Sequence, residues 1–187
     1  NSILEGALDD PGRTKISAVD GDANGTIYIA NFGAQNPVAA RLADGTFTNF
    51  ALIQNRRDII DFIIDRNGQK WFAIKNNGLV VIDDNGDPTN TGSIVQRTLG
   101  GGSGNGNLHD LKVLSIVEDN DGEIWVGTES GISIYFCSRS VLTSNGCDAS
   151  RPIVSRDGVN GFLFETDKVQ AMAVDGANRK WVGTPDG

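Results

Sequence analysis

The sequence has one histidine and two cysteines in 187 residues. A single histidine excludes multi-histidine metal sites and leaves any Ser–His or Cys–His pair with one candidate base. Basic residues are in short supply, with 16 Lys and Arg against 24 Asp and Glu and a net charge of −8. That balance argues against a nucleic-acid partner, which needs a basic footprint. Long apolar runs are missing as well. The longest are strand-sized, so no stretch of this chain reads as a membrane-spanning helix.

Glycine is what the chain has in excess: 24 residues, where ~7 % of a sequence is usual. It shows no every-third-residue period, which excludes collagen. It sits instead beside Asp and Asn, between short apolar runs. One phrase occurs four times. The copies are Asp22-Ala-Asn-Gly25-Thr-Ile-Tyr28, Asp65-Arg-Asn-Gly68-Gln-Lys-Trp71, Asp119-Asn-Asp-Gly122-Glu-Ile-Trp125 and Asp175-Gly-Ala-Asn178-Arg-Lys-Trp181. In each, an Asp precedes an aromatic by six residues, and Gly or Asn stands three before it. A β-rich run comes before each phrase, at 15–20, 60–65, 113–119 and 169–175, and another begins at the aromatic. The phrase therefore reads as a hairpin turn, because Asn and Gly tolerate positive φ. Asn77-Gly78 and Ser130-Gly131 lead into third strands at 79–83 and 132–136. Fourth strands are predicted at 47–52, at 94–99, and at 152–156 or 161–165. No stretch of helical period and length competes.

Four antiparallel strands in roughly 40–55 residues make a β-propeller blade. The predicted fold is all-β, an incomplete β-propeller of about three and a half blades of four-stranded antiparallel sheet. It occupies residues 1–187, with blades near 15–52, 60–99, 113–165 and an incomplete 169–187. Burial on both faces accounts for runs such as Leu79-Val-Val-Ile82, which do not alternate. Tyr28, Trp71, Trp125 and Trp181 are expected to wedge between neighbouring sheets as packing residues. The chain starts without Met and stops at Gly187 after the second strand of its fourth copy. It is read as a piece of a larger propeller, and its open sheet edges invite pairing with a second copy.

The phrases Val113-x-x-Ile116-x-Glu118-Asp119-x-x-Gly122-x-Ile124-Trp125-Val-Gly127-Thr128 and Lys180-Trp181-Val-Gly183-Thr184 resemble the two-component-regulator propeller repeat. Copy two departs from it, with Phe72-Ala73-Ile74 where the repeat has Val-Gly-Thr, and copy one fits loosely. The stretch from Arg151-Pro152 through Asp157-Gly158, Gly161 and Leu163-Phe164-Glu165 to Trp181 is similar to the PorZ-like branch. That resemblance implies a periplasmic or cell-surface bacterial propeller without chemistry of its own, a scaffold or binding module of type IX secretion. Its partners would be other envelope or secretion-machinery proteins, or a carbohydrate or glycolipid. The rival within the family is the periplasmic ligand-sensing propeller of a hybrid two-component histidine kinase. Propeller lyases share the architecture and use a histidine and a metal, but nothing around His109 reproduces a motif of theirs.

Several constellations remain. Asp20-Gly-Asp22-Ala-Asn24-Gly25 places oxygen ligands at alternate positions, like the start of a calcium loop, yet Asn31 stands where the bidentate Glu belongs. The alternative is a hairpin turn two residues longer than those of the other copies. No other cofactor is expected. The segment Gly100-Gly-Gly-Ser-Gly-Asn-Gly-Asn107 lacks the Lys-Ser/Thr of a phosphate loop and reads as a flexible connection between blades two and three. Cys137 and Cys147 stand ten residues apart. In an extracytoplasmic compartment they read as a disulfide, with two reduced thiols as the other possibility. Arg56-Arg57 and the pair Arg151 and Arg156 are the basic clusters. They read as turn-face charges; the resemblance also makes both clusters candidate contacts for an anionic glycolipid, Arg56 and Arg57 first.

Overall fold

The computed structural model describes residues 3–186, which divide into two compact units. One runs to Lys75 and includes Val80–Arg97; the other comprises Asn76–Leu79 and the chain from Thr98 onward. Strands β1 (Ile16–Gly21), β2 (Ile27–Asn31), β3 (Val38–Arg41) and β4 (Phe47–Phe50) form an antiparallel sheet in sequence order. Strands β5 (Ile59–Ile64), β6 (Lys70–Ile74), β7 (Leu79–Asp83) and β8 (Val95–Leu99) repeat it. In-order four-stranded meanders of this kind are propeller blades. Within the first unit β1 packs beside β5. Tyr28, Val38, Phe50, Ile59, Phe62, Phe72 and Ile82 close a common core there. Every residue of β6 is buried, as is Leu79–Ile82 of β7, so neither strand has a polar face to show in its sequence.

The later blades are less complete. Strands β9 (Val113–Glu118), β10 (Ile124–Thr128) and β11 (Gly131–Tyr135) form a three-stranded sheet. The fourth strand expected at 152–156 or 161–165 does not join it. Those residues pair with each other instead, as the hairpin of β12 (Ile153–Arg156) and β13 (Val159–Phe162). Beyond its sheet, β11 is met by an isolated bridge from Ile134 to Ser150, and Gly131 N–H donates to Asp167 O at 3.1 Å. Strands β14 (Ala171–Val174) and β15 (Lys180–Gly183) pair as a further hairpin. Ile132, Ile134 and Val169 pack there with Trp125, Met172 and Val182.

All four repeated phrases fold alike. Each connects its strands through five residues, 22–26, 65–69, 119–123 and 175–179, so the first turn is not longer than the others. One oxygen of the leading Asp accepts the N–H groups two and four residues on. Asp65 Oδ1 takes those of Asn67 and Gln69, both at 2.9 Å, and Asp22, Asp119 and Asp175 do likewise. The fourth turn residue has positive φ, at Gly25, Gly68, Gly122 and Asn178, which explains the Gly-or-Asn rule.

The second carboxylate oxygen explains the aromatic. It accepts the indole Nε1–H of Trp71 from Asp65 at 3.0 Å, of Trp125 from Asp119 at 3.2 Å and of Trp181 from Asp175 at 3.2 Å. Six residues is thus the reach from a turn carboxylate to an indole on the next strand. Packing and this bond go together at Trp71, which is fully buried, whereas Trp181 is 60% exposed and keeps the bond without the expected place between sheets.

Candidate functional site

In the second unit a cleft of about 550 Å³ is lined by Gly101, Gly102, Asn107, His109, Arg151 and Phe162, among others. Its volume is that of a small-molecule site. The glycine-rich segment that forms one wall is a folded loop rather than a loose connection. Gly100 N–H donates to Asn105 O at 2.7 Å, and Leu108 N–H to Gly100 O at 2.8 Å. The Asp148 carboxylate pins it from outside, accepting from Ser103 Oγ at 3.2 Å, Gly104 N–H at 2.7 Å and Gly106 N–H at 3.0 Å.

Asp148 is held in turn by covalent chemistry one residue away. Cys137 and Cys147 form a disulfide with Cα atoms 5.5 Å apart. Beyond it, Ala149 N–H donates to Gly106 O at 2.8 Å, and Ser150 exchanges both backbone bonds with Ile134. Arg151 therefore leaves a segment fixed on both sides. Its guanidinium carbon lies 3.8 Å from the centroid of the Phe162 ring. Nearby, burial and the Asp148 charge both push the Tyr135 phenol up from its ordinary value, so it stays neutral.

The sequence-predicted residues fall in several places. Arg56 donates to Gln54 Oε1 at 3.1 Å and Arg57 to Gln35 Oε1 at 3.2 Å, so each spends a nitrogen on a neighbouring amide. His109 is exposed, and its backbone N–H donates to Ser133 Oγ at 3.4 Å. The side chain of Arg156 lies outside the described residues. Asp20 gives its two carboxylate oxygens to backbone N–H groups, Gly21 at 2.8 Å and Ile64 at 2.9 Å. One oxygen of Asp22 serves its turn, while the other is buried without a hydrogen-bond partner among the described residues. Asp22 and Asn24 border a second cleft of about 380 Å³ with Asn67, Lys70 and Asn85. No group of three His, Cys, Asp or Glu among the described residues is placed to hold a metal ion.

Sequence reasoning missed Asp148, Asn107 and Phe162, which build the large cleft, and Lys70 with Asp84, which join the first two blades. Lys70 donates to Asp84 Oδ1 at 2.6 Å and lies 4.6 Å from the Tyr28 ring centroid; the Tyr28 hydroxyl donates to the other Asp84 oxygen. Burial and the Asp84 carboxylate both raise the Tyr28 phenol, so it remains a donor. A signal was present: Lys immediately precedes the aromatic in copies two and four. Lys180 lies over the Trp125 ring at 5.1 Å, as Lys70 lies over Tyr28.

Comparison with known proteins agrees with this geometry. Residues 107–130 match the two component regulator propeller family. No curated protein matches the chain in sequence. Among solved structures, PorZ, an essential bacterial surface component of the type-IX secretion system of Porphyromonas gingivalis, superposes with a TM-score of 0.82 at 20% identity. The match covers 98% of this chain and 26% of that one, so the chain spans about a quarter of PorZ. The extracellular domain of a putative hybrid two component system from B. thetaiotaomicron gives 0.58 at 18% identity, covering 94% of this chain and 20% of that one. A virginiamycin B lyase from Staphylococcus aureus gives 0.55 at 16% identity, covering 90% and 48%. The chain carries a two-component-regulator propeller repeat, and its fold is part of a β-propeller.

Proposed function

We propose that the chain belongs to a non-catalytic propeller of the bacterial envelope, a binding or scaffold module of the PorZ kind working in type IX secretion. The observation that carries this reading is the superposition on PorZ across 98% of the chain with a TM-score of 0.82, against 0.58 for the sensor domain. An extracytoplasmic site also suits the Cys137–Cys147 disulfide, since such bonds persist in oxidising compartments. Partners on this reading are other secretion-machinery proteins or an envelope carbohydrate. The second reading, a ligand-sensing propeller of a hybrid two-component system, is favoured by the repeat at 107–130.

Deleting the encoding gene in its source bacterium separates the two. Secretion cargo should accumulate inside the cell envelope and disappear from the surface. Normal cargo display, together with loss of a ligand-induced transcriptional response, would overturn the secretion role in favour of the sensor.

A further inference from the structure

The glycine-loop cleft has an electrostatic character opposite to that of the chain. The chain carries a net charge of −8, yet no Asp or Glu is among the residues that line this cleft, whereas Arg151 and His109 are. Asp148, next in the chain to the lining residue Ala149, is already engaged by three donors of the loop. Arg151 itself is poised. Its Nε and Nη2 are shielded from solvent and have no hydrogen-bond partner among the described residues. Buried polar groups are nearly always paired, and a charged one left alone is costly. These two nitrogens are moreover the side-on edge of the guanidinium, where two N–H bonds run parallel and match two oxygens of one acid group.

We propose that this cleft binds a small organic anion through a carboxylate or phosphate group received bidentately on the Nε–Nη2 edge of Arg151. Phe162, stacked on the guanidinium and 36% exposed, belongs to the β12–β13 hairpin outside the blade sheets. Turning that ring is the route by which an anion reaches the edge. The backbone before Arg151 is fixed by Ser150–Ile134 pairing and the disulfide, and Pro152 O after it accepts the Leu163 N–H at 2.9 Å, so little ordering is left for binding to oppose. Gly101 and Gly102 in the lining let a ligand approach the backbone closely. The inference rests on the cleft alone and not on the secretion role.

The test is calorimetric titration of the 187-residue chain with glucuronate, glucose 6-phosphate and uncharged glucose, at constant ionic strength. One or both anions should bind with a Kd of about 1 mM or tighter while glucose does not. Which anion binds distinguishes a carboxylate ligand from a phosphate ligand. Arg151→Lys keeps the charge but loses the fork, so it should weaken binding at least about tenfold. Arg151→Gln should abolish it, with the far-UV circular dichroism spectrum unchanged in both variants. In the unsubstituted chain, the Arg151 Nε–H resonance should shift on saturation. The proposal is overturned if neither anion binds, if glucose binds equally well, or if the anion binds without moving that resonance. Survival of the secretion phenotype in Arg151→Gln would leave the proposed role standing whatever the calorimeter reads.

Discussion

The junction between the first two blades and the one between the last two use the same parts differently. At both, a Lys preceding one blade's aromatic lies over the aromatic of the blade before it: Lys70 on Tyr28, Lys180 on Trp125. In the earlier junction the aromatic is Tyr, whose hydroxyl cannot serve its own turn and donates instead to Asp84 in the next blade. Lys70 joins the same carboxylate, and the side chains of Lys70 and Asp84 are 2% and 0% exposed. In the later junction Trp125 stays with its own Asp119, and Lys180, 20% exposed, reaches that same turn carboxylate at 2.8 Å. One aromatic substitution thus converts a bond inside a turn into a bond between blades. It also leaves an Asp22 oxygen unpartnered.

The sharpest way to break the comparison is Lys70→Met. Removing one partner of a buried pair strands the other charge, and about 3–5 kcal/mol should be lost in urea unfolding. The next effect belongs to the later blades. Two residues past the aromatic stand Ala30, Ala73 and Gly127. A Cβ on Gly127 would meet Ser115 Oγ at 2.4 Å and the Val169 carbonyl oxygen at 2.7 Å. Gly127→Ala should therefore cost about 1–3 kcal/mol by overpacking, whereas the earlier blades already carry Ala at this position. Tyr28→Phe removes one of the donors to Asp84 and should cost about 1–2 kcal/mol. An unchanged urea midpoint would mean that Tyr28 acts by packing alone.

Lys180→Met should cost least, about 1 kcal/mol or below, because Asp119 keeps its indole and backbone donors. It should also alter the acid response. Burial raises the Asp119 carboxyl, but Lys180 and the N–H groups of Glu123 and Asp121 outweigh it and hold the pKa below its ordinary value. Stability from a lowered carboxylate is present above the unfolded pKa, about 4, and is lost as pH falls through the folded one. The variant's melting temperature should accordingly fall less steeply than that of the unsubstituted chain below about pH 4. Equal slopes would remove Lys180 from the account.

What was legible in the sequence was local. Asp, Gly or Asn, and an aromatic at fixed spacing report on five-residue turns whose bonds close within the phrase, so the blades could be read from them. The closing strand predicted at 152–156 or 161–165 failed because strand character at Ile153 and Val154 is satisfied equally by pairing with 159–162. Pattern alone does not choose the partner. The cleft was hidden for a related reason. Arg151 meets Phe162, and Asp148 meets Gly104 and Gly106 some forty residues earlier, through contacts that no periodicity marks. Arg151 was visible as one of two nearby charges and a candidate anion contact, without its cleft, and the loop only as glycine.

The turn carboxylate also sets an order of events in time. Three of the four phrases complete their hydrogen bonds within six residues of chain. Each of those hairpins can close on the microsecond scale before any distant strand has arrived. The first phrase has exported one of its bonds to a residue 56 positions away. Its aromatic is the member of the set that must wait, and it becomes fully anchored only when the second blade is already built.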